Sequence, residues 1–352
     1  MKYAPILIPT LCRSEHFIRL IESLKKSTWT KYTDVYITLD YPLKEEHWNG
    51  YKKIKNYLNG MFPEFVNFYV IDRTENFGSS ENSRELIDRA LQKYDRYIHT
   101  NDDCEFSPIF LEYMDKALDQ YEDDDSVVGV TGYSNSLKWS IAEECNTFKN
   151  QVIFSMWGTG FWRDKFICTQ NKICSGYFRK SYFSGKMRKS KMTDARFMDD
   201  VSGTFNYDTK THTTCMSDVA YGCYIQLADK CIKTHRLSSV KNWGFVGMGV
   251  LGQDSSNLDT GIDNAADYNY SVQNIDEFVS FDLAVEENAD VDENKKILDR
   301  FDRRSETAIL IVEFKNVINR IMSKLSEEYI LKGDSFIYSA WLTGVFRMRA
   351  AL

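Results

Sequence analysis

Proline is scarce in this chain, basic residues are outnumbered by acidic ones, and several familiar sequence patterns are missing. Its 352 residues include only 5 prolines, and 44 Lys and Arg face 51 Asp and Glu, for a formal net charge of −7. A general nucleic-acid binder normally has a basic excess, so we expect no nucleic-acid partner. The apolar runs are far shorter than the roughly 20 residues that span a bilayer. With 43% hydrophobic residues, the chain is expected to be a soluble globular protein.

Export and metal-binding cysteine patterns are also missing. The N-terminal stretch MKYAPILIPTL has neither the apolar core nor the small-residue cleavage site of a signal peptide. The 8 cysteines show no C-x-x-C spacing, which argues against a zinc site and a dense disulfide framework. We therefore expect a reducing, cytoplasmic location, with Cys12, Cys104, Cys168, Cys223 and Cys231 as small core residues.

Strand and helix patterns alternate over the first part of the chain. Strands are expected at 4–10, 34–40, 65–72, 95–100 and 126–133, and helices at 16–27, 47–60, 83–94 and 108–121. Such alternation with short connections predicts an α/β fold, a mainly parallel sheet with helices on both faces. In sheets of this kind, ligands bind outside the carboxyl ends of the strands.

The pattern is less regular after residue 133. One helix-like segment stands at 218–229, and residues 251–305 are polar and acidic. Apolar residues at helical spacing over 306–332 predict an amphipathic helix, packed on the first domain, on a partner subunit of a homo-oligomer, or on a membrane surface. We expect one domain over 1–250 and a C-terminal helical extension over 251–352.

Two adjacent aspartates, Asp102 and Asp103, follow the fourth strand in the stretch IHTNDDCEFSP. Neighbouring carboxylates repel one another unless a cation joins them. Hard oxygen ligands suit Mg²⁺ or Mn²⁺, which commonly bridge to substrate phosphates. The alternative is that Asp102 or Ser107 caps the helix that begins near Pro108.

Five segments in order carry a family resemblance: APILIPTLCRSEHFIRLIESL, ITLDYP, IHTNDDCEFSPIFLEYMDKAL, MSDVAYGCYIQLADKCIKTH and SSVKNWGFVGMG. Together they resemble the inverting glycosyltransferases of the GT-A (Rossmann-like) fold, in particular the N-acetylglucosaminyltransferase I-like enzymes and related bacterial sugar transferases. The resemblance covers roughly residues 4–250. Asn101 departs from the pattern, because the family often has an acidic residue at that position.

The resemblance implies roles for four residues near the strand ends. Asp103 matches the residue that binds Mn²⁺ or Mg²⁺, and Asp102 matches its neighbour on the ribose or sugar of the nucleotide-sugar donor. Arg13 matches the arginine near the donor diphosphate, where a fork of N–H donors suits phosphate oxygens. Asp40 matches the acid that contacts the nucleotide base. The alternative for Arg13 is an exposed arginine in a loop. The alternative for Asp40 is a turn residue before Pro42.

Other candidate donor-binding residues are polar or aromatic. Asn76 and Asn82 would line the same crevice or cap a helix. Trp157 and Gly158 resemble a Gly/Trp segment of the family and would form a floor for sugar stacking, or else a turn in the core. The basic run at 179–191 would face anionic lipid or a lipid-diphosphate acceptor, or else be a solvated loop.

Asp218 is the candidate catalytic base, because the family has an aspartate thirteen residues before a Cys-Ile pair and Asp218 has that spacing to Cys231. The alternative is that Asp218 caps its own helix. Asp199 and Asp200 are rival bases, or part of a solvated helix face. His235 would approach the metal or the diphosphate, or else have a structural role.

The function that the resemblance implies is metal-dependent, inverting transfer of a sugar from a nucleotide-sugar donor to a saccharide or lipid-linked acceptor. A bacterial surface-polysaccharide pathway is expected, with the protein in the cytoplasm or peripheral at the inner face of the membrane. One rival is a nucleotidyltransferase, although LCRSEHF lacks the Gly-rich phosphate loop and lysine of that class. The other rival is a non-catalytic nucleotide-sugar or glycan-binding protein.

Overall fold

The structure is a computed structural model that describes residues 2–134, 147–151, 154–184, 186 and 218–244, with the backbone of 286–287. Several predictions lie outside the described residues. They are the rival bases Asp199 and Asp200, residues 185 and 187–191 of the basic run at 179–191, the division of the chain at residue 250, and the helix at 306–332.

The elements of the first part follow the predicted alternation. They are β1 (Ile6–Thr10), α1 (Ser14–Lys25), a 3-10 helix (Thr30–Tyr32), β2 (Asp34–Leu39), α2 (His47–Leu58), β3 (Asn67–Asp72), α3 (Gly78–Leu91), β4 (Arg96–His99), β5 (Cys104–Phe106), α4 (Phe110–Gln120) and β6 (Val127–Thr131). The later elements are β7 (Thr147–Asn150), β8 (Thr159–Trp162), α5 (Arg163–Ile173), α6 (Tyr177–Phe183), α7 (Asp218–Ala228), β9 (Cys231–His235), β10 (Val240–Asn242) and β11 (Glu286–Glu287). Within the described ranges, no helix is long and apolar enough to cross a membrane.

One large sheet organises these elements, in the strand order β11-β7-β9-β6-β8-β4-β1-β2-β3. The pairs β4–β1, β1–β2, β2–β3 and β6–β9 are parallel. Strand β8 runs antiparallel between β4 and β6, and β7 runs antiparallel to β9. Strands β5 and β10 form a separate antiparallel pair. The prediction of a mainly parallel α/β sheet with helices on both faces is therefore confirmed.

The core has two layers, one on each face of the sheet. Ile6 and Ile8 of β1 pack in the layer formed with α1, α2 and α4, while Leu7 packs in the layer formed with α3, α5 and α7. This division follows from the strand geometry, because successive side chains point to opposite faces. Each fully buried aliphatic side chain stabilises the fold by about 1.5–3 kcal/mol. The sheet is thus a rigid base for the loops at its carboxyl edge.

The cysteine predictions are confirmed at three positions and wrong at one. Cys104, Cys223 and Cys231 are buried, and Cys12 is partly buried. Cys168 is exposed because it lies on the outer face of α5. All five are free thiols.

We expect Ile98→Ala to lower the free energy of unfolding by about 2–5 kcal/mol, because the side chain is fully buried on a central strand and its loss leaves a cavity. The matched control is Ile167→Ala on α5, where the isoleucine is 46% exposed. That change should stay within about 0.5 kcal/mol. Urea unfolding of both variants measures the difference. Equal losses would mean that the face of β4 carrying Ile98 is not a packed core.

Candidate functional site

An arginine joins the two adjacent aspartates at the carboxyl edge of the sheet. Strands β1 and β4 are parallel neighbours, so the turn after β1 and the residues after β4 meet. The Arg13 guanidinium donates from Nη1 to Asp103 Oδ2 at 2.6 Å and from Nη2 to Asp102 Oδ1. Both carboxylates are buried. The repulsion between them is therefore offset by a protein cation in a forked ion pair.

The other two carboxylate oxygens also accept protein donors. The hydroxyl of Thr10, the last residue of β1, donates to Asp102 Oδ2 at 2.8 Å. The side-chain amide of Asn242 donates from Nδ2 to Asp103 Oδ1 at 3.1 Å. All four oxygens of the pair are thus in hydrogen bonds, which fixes both side chains. Neither Thr10 nor Asn242 was predicted as a site residue, although both lie in segments that carry the family resemblance.

The β5–β10 pair holds the Asp103 side of this cluster. The Trp243 amide donates to the Asp103 carbonyl at 2.8 Å, and the Gly244 amide donates to Asn242 Oδ1 at 2.7 Å. A Cβ at Gly244 would lie 2.3 Å from Asp103 Oδ2, so only glycine fits beside the carboxylate. Residues 238–244, the described part of the segment SSVKNWGFVGMG that carries the family resemblance, therefore lie against the aspartate pair.

Burial and the neighbouring charges together set the pKa values of Asp103 and Arg13. Burial raises the pKa of Asp103, the Arg13 charge lowers it, and the Asp102 charge raises it, with a net upward shift. Burial lowers the pKa of Arg13, but the two carboxylates more than reverse that effect. Arg13 is therefore a permanent cation here, and Asp103 depends on a nearby positive charge to remain ionised.

Asp40 follows β2 and fastens the start of α3. Its Oδ1 accepts the backbone amides of Tyr41 at 2.9 Å and Phe77 at 2.8 Å. Its Oδ2 accepts the Gly78 amide at 2.9 Å and the Asn76 side chain at 3.4 Å. Asp40 thus satisfies amides at the N-terminus of α3, which are otherwise without helix acceptors. Its contact with a nucleotide base stays a prediction.

Asn82 lies on the first turns of α3 and binds Arg73, which was not predicted from the sequence as a site residue. Its Oδ1 accepts Nε of Arg73 at 3.1 Å, and both side chains are buried. The Arg73 guanidinium lies 4.3 Å from the Phe77 ring centroid and pairs with Glu85. The available signal was position, because Arg73 directly follows β3 as Asp40 directly follows β2.

Trp157 and Gly158 form the turn that leads into β8. The Trp157 ring meets the Tyr133 ring edge to face, with centroids 4.7 Å apart. Gly158 has a φ of +64°, and a Cβ there would lie 2.9 Å from atoms of Phe110 and Val240. Glycine at this position is explained by backbone conformation and close packing. The partly exposed Trp157 ring remains a candidate sugar platform.

Asp218 begins α7 and binds the same turn. Its Oδ1 accepts the Met156 amide at 3.0 Å. Met156 precedes β8, whose first residue Thr159 pairs with His99 at the end of β4. Asp218 therefore lies at the sheet edge where the aspartate pair also lies. Burial raises its pKa to about 7, with a smaller opposite effect from the Met156 amide. Its role as base stays a prediction.

His235, a candidate metal ligand, is the last residue of β9. Its ring is buried with its centroid 4.5 Å from that of Tyr113, and Nδ1 bonds the Leu237 carbonyl. Strands β6 and β8 separate its strand, β9, from β4. Burial lowers the His235 pKa to about 4, so the ring is neutral. These contacts favour the structural alternative for His235, and its approach to the metal or the diphosphate stays a prediction.

The aspartate pair offers the donor chemistry of a Mg²⁺ or Mn²⁺ site, with one condition. Two buried carboxylates are hard oxygen ligands of the kind these ions prefer. In the part of the chain that the structure describes, no three His, Cys, Asp or Glu side chains group to hold a metal. The oxygens facing Arg13 are also engaged. Asp102 and Asp103 fit the ion if Arg13 leaves and other ligands, such as water or phosphate, complete the shell.

Gly50 of α2 positions the turn that carries Arg13. A Cβ at residue 50 would lie 1.7 Å from the carbonyl oxygen of Cys12. That distance is much shorter than a van der Waals contact, so the helix backbone can approach the turn this closely only at a glycine. The side-chain fork of Arg13 therefore depends on a small residue on a neighbouring helix.

We expect Gly50→Ala to destabilise the fold by about 1–3 kcal/mol, although Ala normally favours a helix over Gly, because the added methyl group pushes against Cys12. The control is Asn49→Ala, at an exposed position of α2, which should be close to neutral. Thermal unfolding compares the two. A Gly50→Ala variant as stable as the parent would show that the Cys12 turn yields easily and does not hold Arg13.

Comparisons with known proteins give structural similarity only. No protein-family model and no curated protein sequence matches the chain. Residues 1–349 of S. aureus TarS are similar at 11% identity and a TM-score of 0.37, over 66% of this chain and 58% of that one. TarS 1–349 in complex with UDP-GlcNAc is similar at 13% identity and a TM-score of 0.33, over 47% of each chain. The mannosyltransferase PcManGT from Pyrobaculum calidifontis, in complex with GDP-Man and Mn²⁺, gives 12% and 0.35, over 64% of this chain and 70% of that one. The chain thus spans 58% and 47% of these two TarS chains.

Proposed function

We propose that this chain is a nucleotide-sugar glycosyltransferase of the GT-A type. The observation that carries the proposal is the meeting of Arg13, Asp102 and Asp103 at the carboxyl edge of a mainly parallel sheet. Sheets of this kind bind ligands at that edge. The ordered segments that resemble inverting glycosyltransferases include these same three residues.

Asp102 and Asp103 would hold a divalent cation, Mn²⁺ or Mg²⁺, that neutralises charge on the leaving diphosphate. Arg13 would add a fork of N–H donors for the phosphate oxygens. Thr10 and Asn242 keep the two carboxylates oriented. Trp157, partly exposed on the turn before β8, would pack against the apolar face of a sugar ring.

Asp218 would act as the base that takes the proton from the acceptor hydroxyl during inverting transfer. A carboxyl group with a pKa of about 7 is ionised in a large fraction of molecules near neutral pH and is basic enough to accept a proton. The carboxylate is oriented by the Met156 amide. This is the arrangement expected of a base whose tuning comes from burial.

The catalytic domain proposed here covers residues 1–250, and the acceptor is a saccharide or a lipid-linked saccharide. A cytoplasmic protein, free or peripheral at the inner face of a membrane, would meet such an acceptor during surface-polysaccharide synthesis. The expected partners are therefore the donor and the acceptor.

A thermal-shift screen of nucleotide sugars, with and without Mn²⁺, tests the proposal. A ligand that binds only the native state raises the melting temperature. We expect at least one donor to do so with Mn²⁺, and Asp103→Asn to abolish that shift, because Asn keeps the shape but removes the charge. The control is Asp123→Asn at an exposed position, which should keep the shift. If no nucleotide sugar stabilises the parent, or Asp103→Asn responds fully, the donor site is wrongly assigned.

If Asp218 is the base, we expect kcat to fall when the pH is low enough to protonate it. Its raised pKa means that the base is present above about pH 7 and is lost as pH falls, so kcat should drop about tenfold per pH unit well below 7. Asp218→Asn should lose about 10² to 10⁴ in kcat, keep donor affinity and lack this acidic limb.

The matched control for that experiment is Asp229→Asn, an exposed aspartate just beyond the other end of α7. Asn tolerates the positive φ of 52° at this residue. Its pH profile should match that of the parent. An acidic limb that survives in Asp218→Asn would assign the base to another residue.

A further inference from the structure

Arg13 occupies the same oxygen atoms that a divalent cation would need. Its two guanidinium nitrogens bond one oxygen of Asp102 and one of Asp103, the oxygens on the side of the pair that faces the turn after β1. The other two oxygens are held by Thr10 and Asn242 from the opposite sides. A metal that binds both carboxylates through the oxygens facing this turn would take the place of the guanidinium.

Charge also allows only one of the two cations at a time. The carboxylates are nearly buried, with side-chain exposures of 6% and 8%, so they need a positive charge beside them. A guanidinium and a divalent ion at the same oxygens would repel each other in a site with little water to screen them. Binding of one is expected to exclude the other.

We propose that Arg13 competes with the divalent cation for Asp102 and Asp103, so that cation binding releases Arg13 to the donor diphosphate. This inference rests on the proposed function, since it concerns the regulation of the same donor site. Arg13 would keep the carboxylate pair ionised and ordered before the cation arrives, and would bind phosphate afterwards. The aspartate pair is thus shared between an internal and an external cation.

The position of Arg13 permits this exchange. Its side chain is 23% exposed, several times more than either carboxylate, and it lies on the turn between β1 and α1. The guanidinium can therefore leave towards solvent without unpacking the core. Thr10 and Asn242 remain in place when it leaves, so the carboxylates keep their orientation.

A thermodynamic consequence follows for the donor. A released guanidinium presents a planar fork that matches two phosphate oxygens. The diphosphate thus stabilises the state in which Arg13 has left the carboxylates, which is also the state that binds the cation. Cation and diphosphate should each increase the affinity of the other.

The test is Mn²⁺ binding to the full chain, measured from the electron paramagnetic resonance signal of free Mn²⁺. The variants are Arg13→Gln, which removes the competing charge, and Asp103→Asn, which removes a ligand. The control is Arg19→Gln on α1, the helix that follows the Arg13 turn, where the guanidinium lies over the Trp243 ring at 4.3 Å. Each protein is titrated alone and with saturating UDP or GDP.

Without nucleotide, we expect Arg13→Gln to bind Mn²⁺ at least tenfold more tightly than the parent, and Arg19→Gln to bind like the parent. With the nucleoside diphosphate that binds, the parent should gain more Mn²⁺ affinity than Arg13→Gln does. If parent and Arg13→Gln bind Mn²⁺ equally, and Asp103→Asn does not bind, the metal site stands and the competition is refuted. If neither binds Mn²⁺ under any condition, both the competition and the proposed metal site are refuted.

A stability measurement guards against misfolding of the variant. Arg13→Gln leaves two adjacent buried carboxylates without a cation, so its melting temperature should fall below that of the parent. Added Mn²⁺ should restore it, and should raise the melting temperature of the parent much less. A variant that is destabilised but not rescued by Mn²⁺ would contradict the proposal, because the ion would then not substitute for Arg13.

Discussion

The rest of this site depends on one constraint, the repulsion between the carboxylates of Asp102 and Asp103. These two residues are neighbours in sequence just after β4. Two buried carboxylates this close are stable only with a cation and with hydrogen bonds to their remaining oxygens. Three segments supply those partners: the end of β1 with Thr10, the turn before α1 with Arg13, and β10 with Asn242. The fold at this edge is the means by which the pair is kept ionised.

Strand order explains how distant segments arrive at one edge. Strand β4 has the parallel strand β1 on one side and the antiparallel strand β8 on the other. Because β8 runs antiparallel to β4, it begins beside the carboxyl end of β4. The turn before β8 therefore lies at the same edge of the sheet as the carboxyl ends of β1 and β4. Asp218 reaches that edge by its bond to Met156 in this turn. The pair β5–β10 closes the cluster from outside the main sheet.

The alternating part of the fold could be predicted because its helices and longer strands show clear periodicity. Strands β5, β7, β8 and β10 have only three or four residues each, too few for an alternating pattern to be recognised. The role of Arg13 beside the aspartates was expected only from the family resemblance, whereas the strand-end rule predicted where a ligand would bind. The contacts of Thr10, Asn242 and Arg73 could not be predicted, because each depends on a partner far away in sequence. The place of β9, which β6 and β8 separate from β4, could not be predicted, because strand order is not visible in a single sequence.

The approach of α2 to the Cys12 carbonyl has a consequence for related sequences. Residue 50 has no room for a side chain, so two positions separated by 37 residues (50 minus 13) are under one steric requirement. A relative that keeps an arginine on this turn is expected to keep glycine on the facing helix, and one that loses the glycine is expected to have a longer or shorter turn. The pair would therefore vary together across an alignment, although the two side chains perform different tasks. In such an alignment, the glycine would mark the arginine turn as clearly as the arginine itself does.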